Sequence, residues 1–126
     1  MSLSIGDVAK QADIAASAIR YYEAEGLIPR AERVNGRRVY DPEIVGRLAI
    51  IRLAKSAGFT IGEVRQLLNG FARRTPPGRR WHAMAAAKLV ELDDRIREAK
   101  RMKRILLATT RCECPTFDDC SRAMKQ

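Results

Sequence analysis

The sequence predicts a mainly α-helical protein. A winged helix-turn-helix head comes first, then one long helix with a coiled-coil seam, then a short cysteine-containing loop. Three observations carry this reading. Two short helical segments flank a turn at Asp13. An Asn35-Gly36 pair set among arginines follows them. The stretch from Trp81 to Thr110 then mixes charge and apolar side chains at helical spacing.

The elements of the head follow in order. Ser4-Ile5-Gly6-Asp7 is a capping box with Asp in place of Glu, and Ile5, Val8 and Ala9 repeat at helical spacing. This helix ends near Gln11–Ala12, where Asp13 turns the chain. A second helix runs from Ala15 to Glu25 and is stopped by Gly26. Two short helices about a tight turn make a helix-turn-helix pattern. Small residues, Ser17 among them, start the second helix and permit close approach to a phosphate backbone or groove. Arg20 can pair with guanine or phosphate, and Tyr21 can donate to phosphate. The plainer alternative puts Ile19 and Tyr22 in a core and leaves Arg20 as a solvated charge.

Arg30 to Tyr40 shifts the balance. Asn35-Gly36 is a strong two-residue hairpin signal, and Arg30, Arg33, Arg37 and Arg38 decorate the hairpin and its approach. Crowded like charges add no stability to a hairpin; they serve it if it lies along a sugar-phosphate backbone. This hairpin is the expected wing. Asp41-Pro42-Glu43 opens a third helix, with Asp as cap and Pro at the first helical position. Its expected apolar face is Val45, Leu48, Ala49, Ile51 and Leu53; Lys55 lies in its last turn and Gly58 ends it. Thr60-Ile61-Gly62-Glu63 caps a fourth helix whose buried side is Val64, Leu67 and Leu68 and whose end is Gly70. Arg73, Arg74, Pro76, Pro77 and Gly78 read as a stiff basic link.

The long helix from Trp81 to Thr110 would span about 45 Å at ~1.5 Å per residue. Ala85, Leu89, Leu92, Ile96, Ala99, Lys103 and Leu106 step by four and three, a coiled-coil seam with one basic interruption. Glu91 with Arg95 and Asp93 with Arg97 are expected to pair on its outer face. Packing this helix on its own domain would need a core the rest of the chain scarcely provides. Leu89, Leu92, Ile96, Ala99 and Leu106 are therefore the expected dimerisation contacts. The expected division is a head at residues 1–75, a linker and dimerisation helix at 76–110, and a sensing tail at 111–126.

Bulk properties agree. The 126 residues carry a net charge of +9. Residues 1–80 hold 14 Lys/Arg against 8 Asp/Glu, so +6 of the +9 sits in the head. Nucleic acid is the expected anionic partner. No apolar run suits a bilayer span and no basic-then-apolar leader opens the chain, so the expected location is the cytoplasm with no membrane partner. Thiols stay reduced there, and three clustered cysteines then point to metal or redox chemistry.

Four motifs in this order carry a resemblance: Ala18-Ile19-Arg20-Tyr21-Tyr22-Glu23, Gly26-Leu27-Ile28, Asn35-Gly36-Arg37-Arg38-Val39-Tyr40, and Gly58-Phe59-Thr60-Ile61-Gly62-Glu63-Val64. The chain resembles the MerR family of bacterial transcriptional regulators over its whole length. The resemblance implies a homodimer joined by an antiparallel coiled coil of the long helices. It also implies binding to a pseudo-palindrome in promoter DNA, which the effector-bound dimer bends and untwists for RNA polymerase. Arg20 and Tyr21 match recognition-helix contacts, Arg33, Arg37 and Arg38 the wing, and Lys55 a backbone contact; Ser17 and Tyr40 complete the DNA-binding set. In an antiparallel pair the Cys112 end of one helix lies beside the Trp81 end of the other, where the cysteine loop would press on the partner's head.

The tail reads Cys112-Glu113-Cys114-Pro115-Thr116-Phe117-Asp118-Asp119-Cys120. Pro115 and Asp118-Asp119 favour a loop that brings the thiols together, and thiolates suit soft metal ions and iron–sulfur clusters. From Glu91 to Cys120 the chain is similar without gaps to the SoxR branch, which holds a [2Fe–2S] cluster. Three of that branch's ligand positions fall on Cys112, Cys114 and Cys120, and the fourth falls on Thr109, a poor iron ligand. The spacing of Cys112 and Cys120 is similar to the copper-sensing branch. Divalent-metal members place a further cysteine near Gly78, where this chain has none; His82 is close by as a possible ligand across the dimer. The candidate cofactors are a soft metal ion, Cu(I), Zn(II) or Hg(II), or an iron–sulfur cluster. A third option is direct oxidation, with Cys112 or Cys114 pairing with Cys120. Arg111 favours a thiolate at Cys112, while Glu113, Asp118 and Asp119 disfavour further negative charge and so favour a bound cation.

Other function classes fit less well. A thiol oxidoreductase would want Cys-x-x-Cys at a strand–helix junction and an acid–base partner for the lone histidine; neither is present, so no enzyme is expected. A metal carrier would leave the arginine-rich wing unexplained.

Overall fold

The computed structural model describes residues 1–124. The chain forms two compact units, Met1–His82 and the part from Ala83 onward. In the first, α1 (Ile5–Ala12) and α2 (Ala16–Ala24) are the helix-turn-helix, and β1 (Glu32–Val34) and β2 (Arg37–Val39) are the wing. α3 (Glu43–Ser56) and α4 (Ile61–Asn69) support them. α5 (Pro77–Thr110) begins in the first unit and continues in the second, where α6 (Phe117–Met124) follows.

The caps read from the sequence are present. Ser4 Oγ accepts from the Asp7 amide at 3.1 Å, and the Asp7 carboxylate accepts from the Ser4 amide at 3.2 Å. Asp13 turns the chain in the left-handed region, with φ 54°. Asn35 (φ 53°) and Gly36 (φ 79°) are both left-handed, as a type I′ hairpin turn demands. The wing is antiparallel, with Arg33 opposite Arg38 and Val34 opposite Arg37. Its far end is tied down by Leu3, whose amide donates to the Tyr40 carbonyl at 2.8 Å and whose carbonyl accepts from the Tyr40 amide at 2.7 Å. Thr60 and Glu63 close the second capping box at 3.2 and 2.9 Å.

The core of this unit centres on Val8, Ile19, Leu27, Leu48, Ile51 and Val64, all fully buried. Each such side chain contributes about 1.5–3 kcal/mol relative to exposure. α3 packs differently from expectation. Its buried face is Ile44, Leu48, Ile51 and Ala54, whereas Val45 is half-buried, Ala49 is exposed and Leu53 is 58% exposed. Apolar residues lie on most sides of α3, so periodicity did not single out one face; packing did. Asp41 caps as expected, its Oδ1 accepting from the Glu43 amide at 2.8 Å, but Pro42 occupies the cap position and the helix begins at Glu43. In α4 Val64 and Leu67 are buried and Leu68 is only half-buried.

The long helix starts earlier than Trp81. Pro77 and Gly78 are its first residues and not a link, because proline is well suited to a helix's first turn. Arg80 turns back to the end of α4, donating to the carbonyls of Leu67 (3.2 Å) and Leu68 (2.7 Å), and its Nε donates to the Thr75 carbonyl in the connection between the helices (3.0 Å). It thus satisfies carbonyls that a helix end leaves without internal partners. Further along, Glu91 pairs with Arg95 at 2.8 Å as expected. Arg97 pairs with Asp94, three residues back, and not with Asp93. Leu89, Ile96 and Leu106 of the seam are 61%, 52% and 62% exposed, leaving an uncovered apolar row of the kind a coiled coil buries.

The tail holds a helix where a loop was expected. Thr116 Oγ1 accepts from the Asp119 amide at 3.1 Å and starts α6, and Asp119 in turn pairs with Arg122 at 2.7 Å. Thr116-x-x-Asp119 is the same kind of start signal as Ser4-x-x-Asp7. Among the described residues no helix is long and apolar enough to cross a membrane.

Candidate nucleic-acid interface and thiolate cluster

Each expected DNA contact on the recognition helix is at the surface. Ser17, Arg20 and Tyr21 are exposed on α2, while Ile19 on the opposite side is fully buried. No side chain caps α2, so its positive end faces no protein anion of its own cap. Arg33, Arg37 and Arg38 are exposed on the wing, and Lys55 is exposed in the last turn of α3.

Tyr40 differs. It is only 2% exposed, and its hydroxyl donates to Glu23 at 2.9 Å. A direct contact to DNA is therefore closed to it; it supports the wing from below. Burial pushes its hydroxyl above the ordinary tyrosine value, the Glu23 hydrogen bond adds to this, and Arg38 opposes it.

Other arginines are spent on the scaffold. Arg47 Nε donates to the Leu27 carbonyl at 2.8 Å and its NH2 to Asn69 at 2.8 Å. Arg65 holds the Glu25 carbonyl at 3.0 Å and its carboxylate at 3.0 Å. Arg52 reaches the Asp13 carbonyl at 3.1 Å. Net charge could not separate these structural arginines from the ones on the recognition helix and wing, because both kinds count equally in a sequence.

In the second unit the sulfurs of Cys112, Cys114 and Cys120 all lie within 4.8 Å of one another, each half-buried. The turn after α5 brings them together: the Cys112 amide donates to the Thr109 carbonyl at 3.1 Å, and the Cys120 amide to the Thr116 carbonyl at 3.1 Å. Cys112 and Cys120 sulfurs are 3.8 Å apart. Thiolates on one ion at about 2.3 Å in tetrahedral array lie about 3.8 Å apart, so this spacing suits a soft metal once both sulfurs are thiolates. Cys112 and Cys114 are joined as a disulfide and Cys120 is free. The expected oxidised pair, either of these with Cys120, is thus not the one formed. The Cα atoms of Cys112 and Cys114 are 5.5 Å apart, within the reach of a disulfide. Binding an ion through all three sulfurs requires this bond reduced. Thr109, at the fourth cluster position, donates its hydroxyl to the Leu106 carbonyl at 2.9 Å. His82 is exposed in the first unit.

The family description "MerR HTH family regulatory protein" matches residues 3–70, and "MerR, DNA binding" matches residues 45–109. The chain belongs to the MerR family. The mercuric resistance operon regulatory protein of Bacillus cereus is 32% identical over 127 residues, covering 94% of this chain and 96% of that one. A SoxR homologue, an HTH-type transcriptional activator of Chromobacterium violaceum, is 30% identical over 120 residues, covering 94% of this chain and 81% of its own. The crystal structure of the transcription regulator PbrR691 of Ralstonia metallidurans CH34, in complex with lead(II), matches with a TM-score of 0.75 at 33% identity, covering 90% of each chain. The relatives of this MerR-family chain thus include both metal-resistance and SoxR-type members at similar identity.

Proposed function

We propose that this MerR-family chain is a metal-responsive transcriptional regulator that binds promoter DNA as a homodimer in the cytoplasm. Ser17, Arg20 and Tyr21 on the recognition helix, Arg33, Arg37 and Arg38 on the wing, and Lys55 form the DNA contact set. The seam of Leu89, Leu92, Ile96, Ala99 and Leu106 joins two copies, and the division into head (1–75), dimerisation helix (76–110) and sensing tail (111–126) follows function. Cys112, Cys114 and Cys120 hold the effector, whose binding reshapes the promoter for RNA polymerase. The observation that carries this reading is the convergence of three sulfurs within 4.8 Å on the same chain as an arginine-faced helix-turn-helix and wing.

A soft ion supported by three thiolates suits this donor set better than a [2Fe–2S] cluster. The cluster wants a fourth strong donor, and Thr109 commits its hydroxyl to a helix carbonyl. Lead(II) and mercury-responsive relatives support the class of ligand without naming the ion for this chain. His82 remains a candidate ligand supplied from the partner copy. The role is binding and not catalysis, in keeping with a family of transcription regulators.

The test is a titration of the reduced protein with Cu(I), Zn(II), Hg(II) and Pb(II), alongside DNA binding over a range of salt. One ion per site, lost in the Cys112→Ser protein, together with steep loss of DNA affinity as salt rises, is the expected result. A chain that prefers no duplex over random DNA sinks the regulator reading. A chain that binds DNA yet holds no ion when reduced sinks the metal reading alone.

A second reading is supported by the Cys112–Cys114 disulfide. There the signal is an oxidant such as hydrogen peroxide, which accepts two electrons and two protons from the two thiols and is reduced to water as the S–S bond forms. Response of DNA binding or transcription to peroxide in metal-free protein, lost in Cys114→Ser, separates this from metal sensing.

A further inference from the structure

One carboxylate in the head holds three different elements together. Glu23, in the last turns of α2, accepts from the Ala31 amide at 2.8 Å through Oε1. Its Oε2 accepts from the Tyr40 hydroxyl at 2.9 Å and from Arg38 NH1 at 3.3 Å. The Glu23 side chain is 11% exposed and that of Arg38 is 40% exposed. The recognition helix, the entry to the wing, Arg38 of β2 and Tyr40 just after it therefore meet on a single nearly buried anion.

This anion does more for geometry than for stability. An ion pair with one partner so open to solvent contributes little to folding. Its local setting gives it a purpose. Arg38 lies directly across the ladder from Arg33, and like charges facing each other across strands repel. An unpaired Arg38 would swing away from its neighbour and sample many rotamers. Glu23 offsets that repulsion and restricts the guanidinium to one region, with part of it still open to solvent.

Building on the regulator reading above, we propose that Glu23 is a positioning residue for DNA binding. It aims Arg38 and locks the wing to the recognition helix, so that both meet the duplex already in their bound arrangement. Preorganisation of this kind lowers the ordering cost at the moment of association. Glu23 touches no DNA in this scheme; it acts through Arg38 and through the seat of Tyr40.

The sign of one substitution separates this from simple electrostatics. A carboxylate near DNA repels phosphate, so its neutralisation alone would tighten binding. Glu23→Gln keeps the shape, an acceptor for the Ala31 amide and a partner for the Tyr40 hydroxyl, and loses the charge that holds Arg38. The probe is the duplex that the wild-type chain selects from a random-sequence pool. Glu23→Gln should weaken its binding by about fivefold or more, within the range of couplings between contacting residues. In an Arg38→Ala background the same change should have no further effect, and the melting temperature should stay near that of the parent. Tighter or unchanged binding by Glu23→Gln, or an equal loss in both backgrounds, overturns the proposal. If Glu23→Gln does not fold, Glu23→Asp, which draws the carboxylate back from Arg38, reads the same point: Arg38-dependent weakening supports it, and unchanged affinity overturns it. A wild-type chain that selects no duplex overturns the regulator reading, and the positioning role falls with it; selection without sensitivity to Glu23 removes only the latter.

Discussion

At the scale of single residues, the tail depends on Cys114. The Cys112 and Cys120 sulfurs lie 3.8 Å apart, and reduction of the Cys112–Cys114 bond frees both of its sulfurs to join Cys120. Cys114→Ser should therefore lower the affinity of the reduced protein for a soft ion by roughly a hundredfold or more, at or above the upper end of the loss for an outer-sphere partner, while DNA affinity without metal is unchanged. Competition titration with a chelator measures it, and undiminished affinity would remove Cys114 from the ligand set. Tyr40 offers a second handle. Its hydroxyl titrates above the ordinary tyrosine value because of burial, so the folded state keeps its proton where the unfolded state has lost it. Tyr40 thus contributes stability that is complete below the ordinary tyrosine pKa of about 10 and fades as pH rises through its raised value. Denaturation at neutral and at alkaline pH, in wild type and Tyr40→Phe, should show a smaller alkaline loss in the variant. The three cysteines come together as their clustering in the sequence leads one to expect, and Arg20, Tyr21 and the wing arginines stand at the surface. The role of Glu23 was not legible in the sequence, although it stands within a quoted motif. Its partners are 8, 15 and 17 residues away, and no local spacing encodes such meetings.

At the scale of elements, starts and stops were read well. Ser4, Thr60, Asp13, Asn35 and Gly36 all act where expected, because caps and turns are decided within four residues. Gly36 tests this directly. Its φ of 79° is strained for any side chain, and a Cβ there would meet nothing within 4 Å. Gly36→Ala should cost about 1 kcal/mol from backbone strain alone, measured by denaturant unfolding; an unchanged midpoint would mean the turn had relaxed to another type. Because the wing arginines ride on this turn, DNA affinity should fall as well. The errors fall on faces and lengths. The buried side of α3 departs from its periodicity since several of its sides are apolar, and α6 forms where a loop is expected because Thr116-x-x-Asp119 caps it. Arg97 chose Asp94 over Asp93 because both carboxylates lie within one helical turn and rotamer fit decides between them.

At the scale of the whole molecule, the row of Leu89, Ile96 and Leu106 stands exposed at coiled-coil spacing. Burying it against a second copy is the function assigned to the seam. Leu92→Asp places a charge in the middle of the row and should convert the protein to a monomer by sedimentation, with loss of promoter binding. A monomer that still binds promoter DNA at wild-type affinity would overturn the assignment. The same dimer would double the basic face offered to DNA, so the residual non-specific DNA binding of the Leu92→Asp protein should show a markedly shallower salt dependence.

The sequence by itself determined the family, the order of helices and wing, the long seam-bearing helix and the identity of the thiol donors. These rest on local signals: caps, a two-residue turn, a three-four repeat and clustered cysteines. Only the tertiary structure decided which arginines serve the scaffold, which face of α3 is buried, that Tyr40 lies beneath the wing, and that Glu23 joins helix to wing. It also decided that the three sulfurs come within reach of one ion. Those outcomes depend on which distant segments pack together, and competing faces of similar polarity are resolved only when the whole core closes.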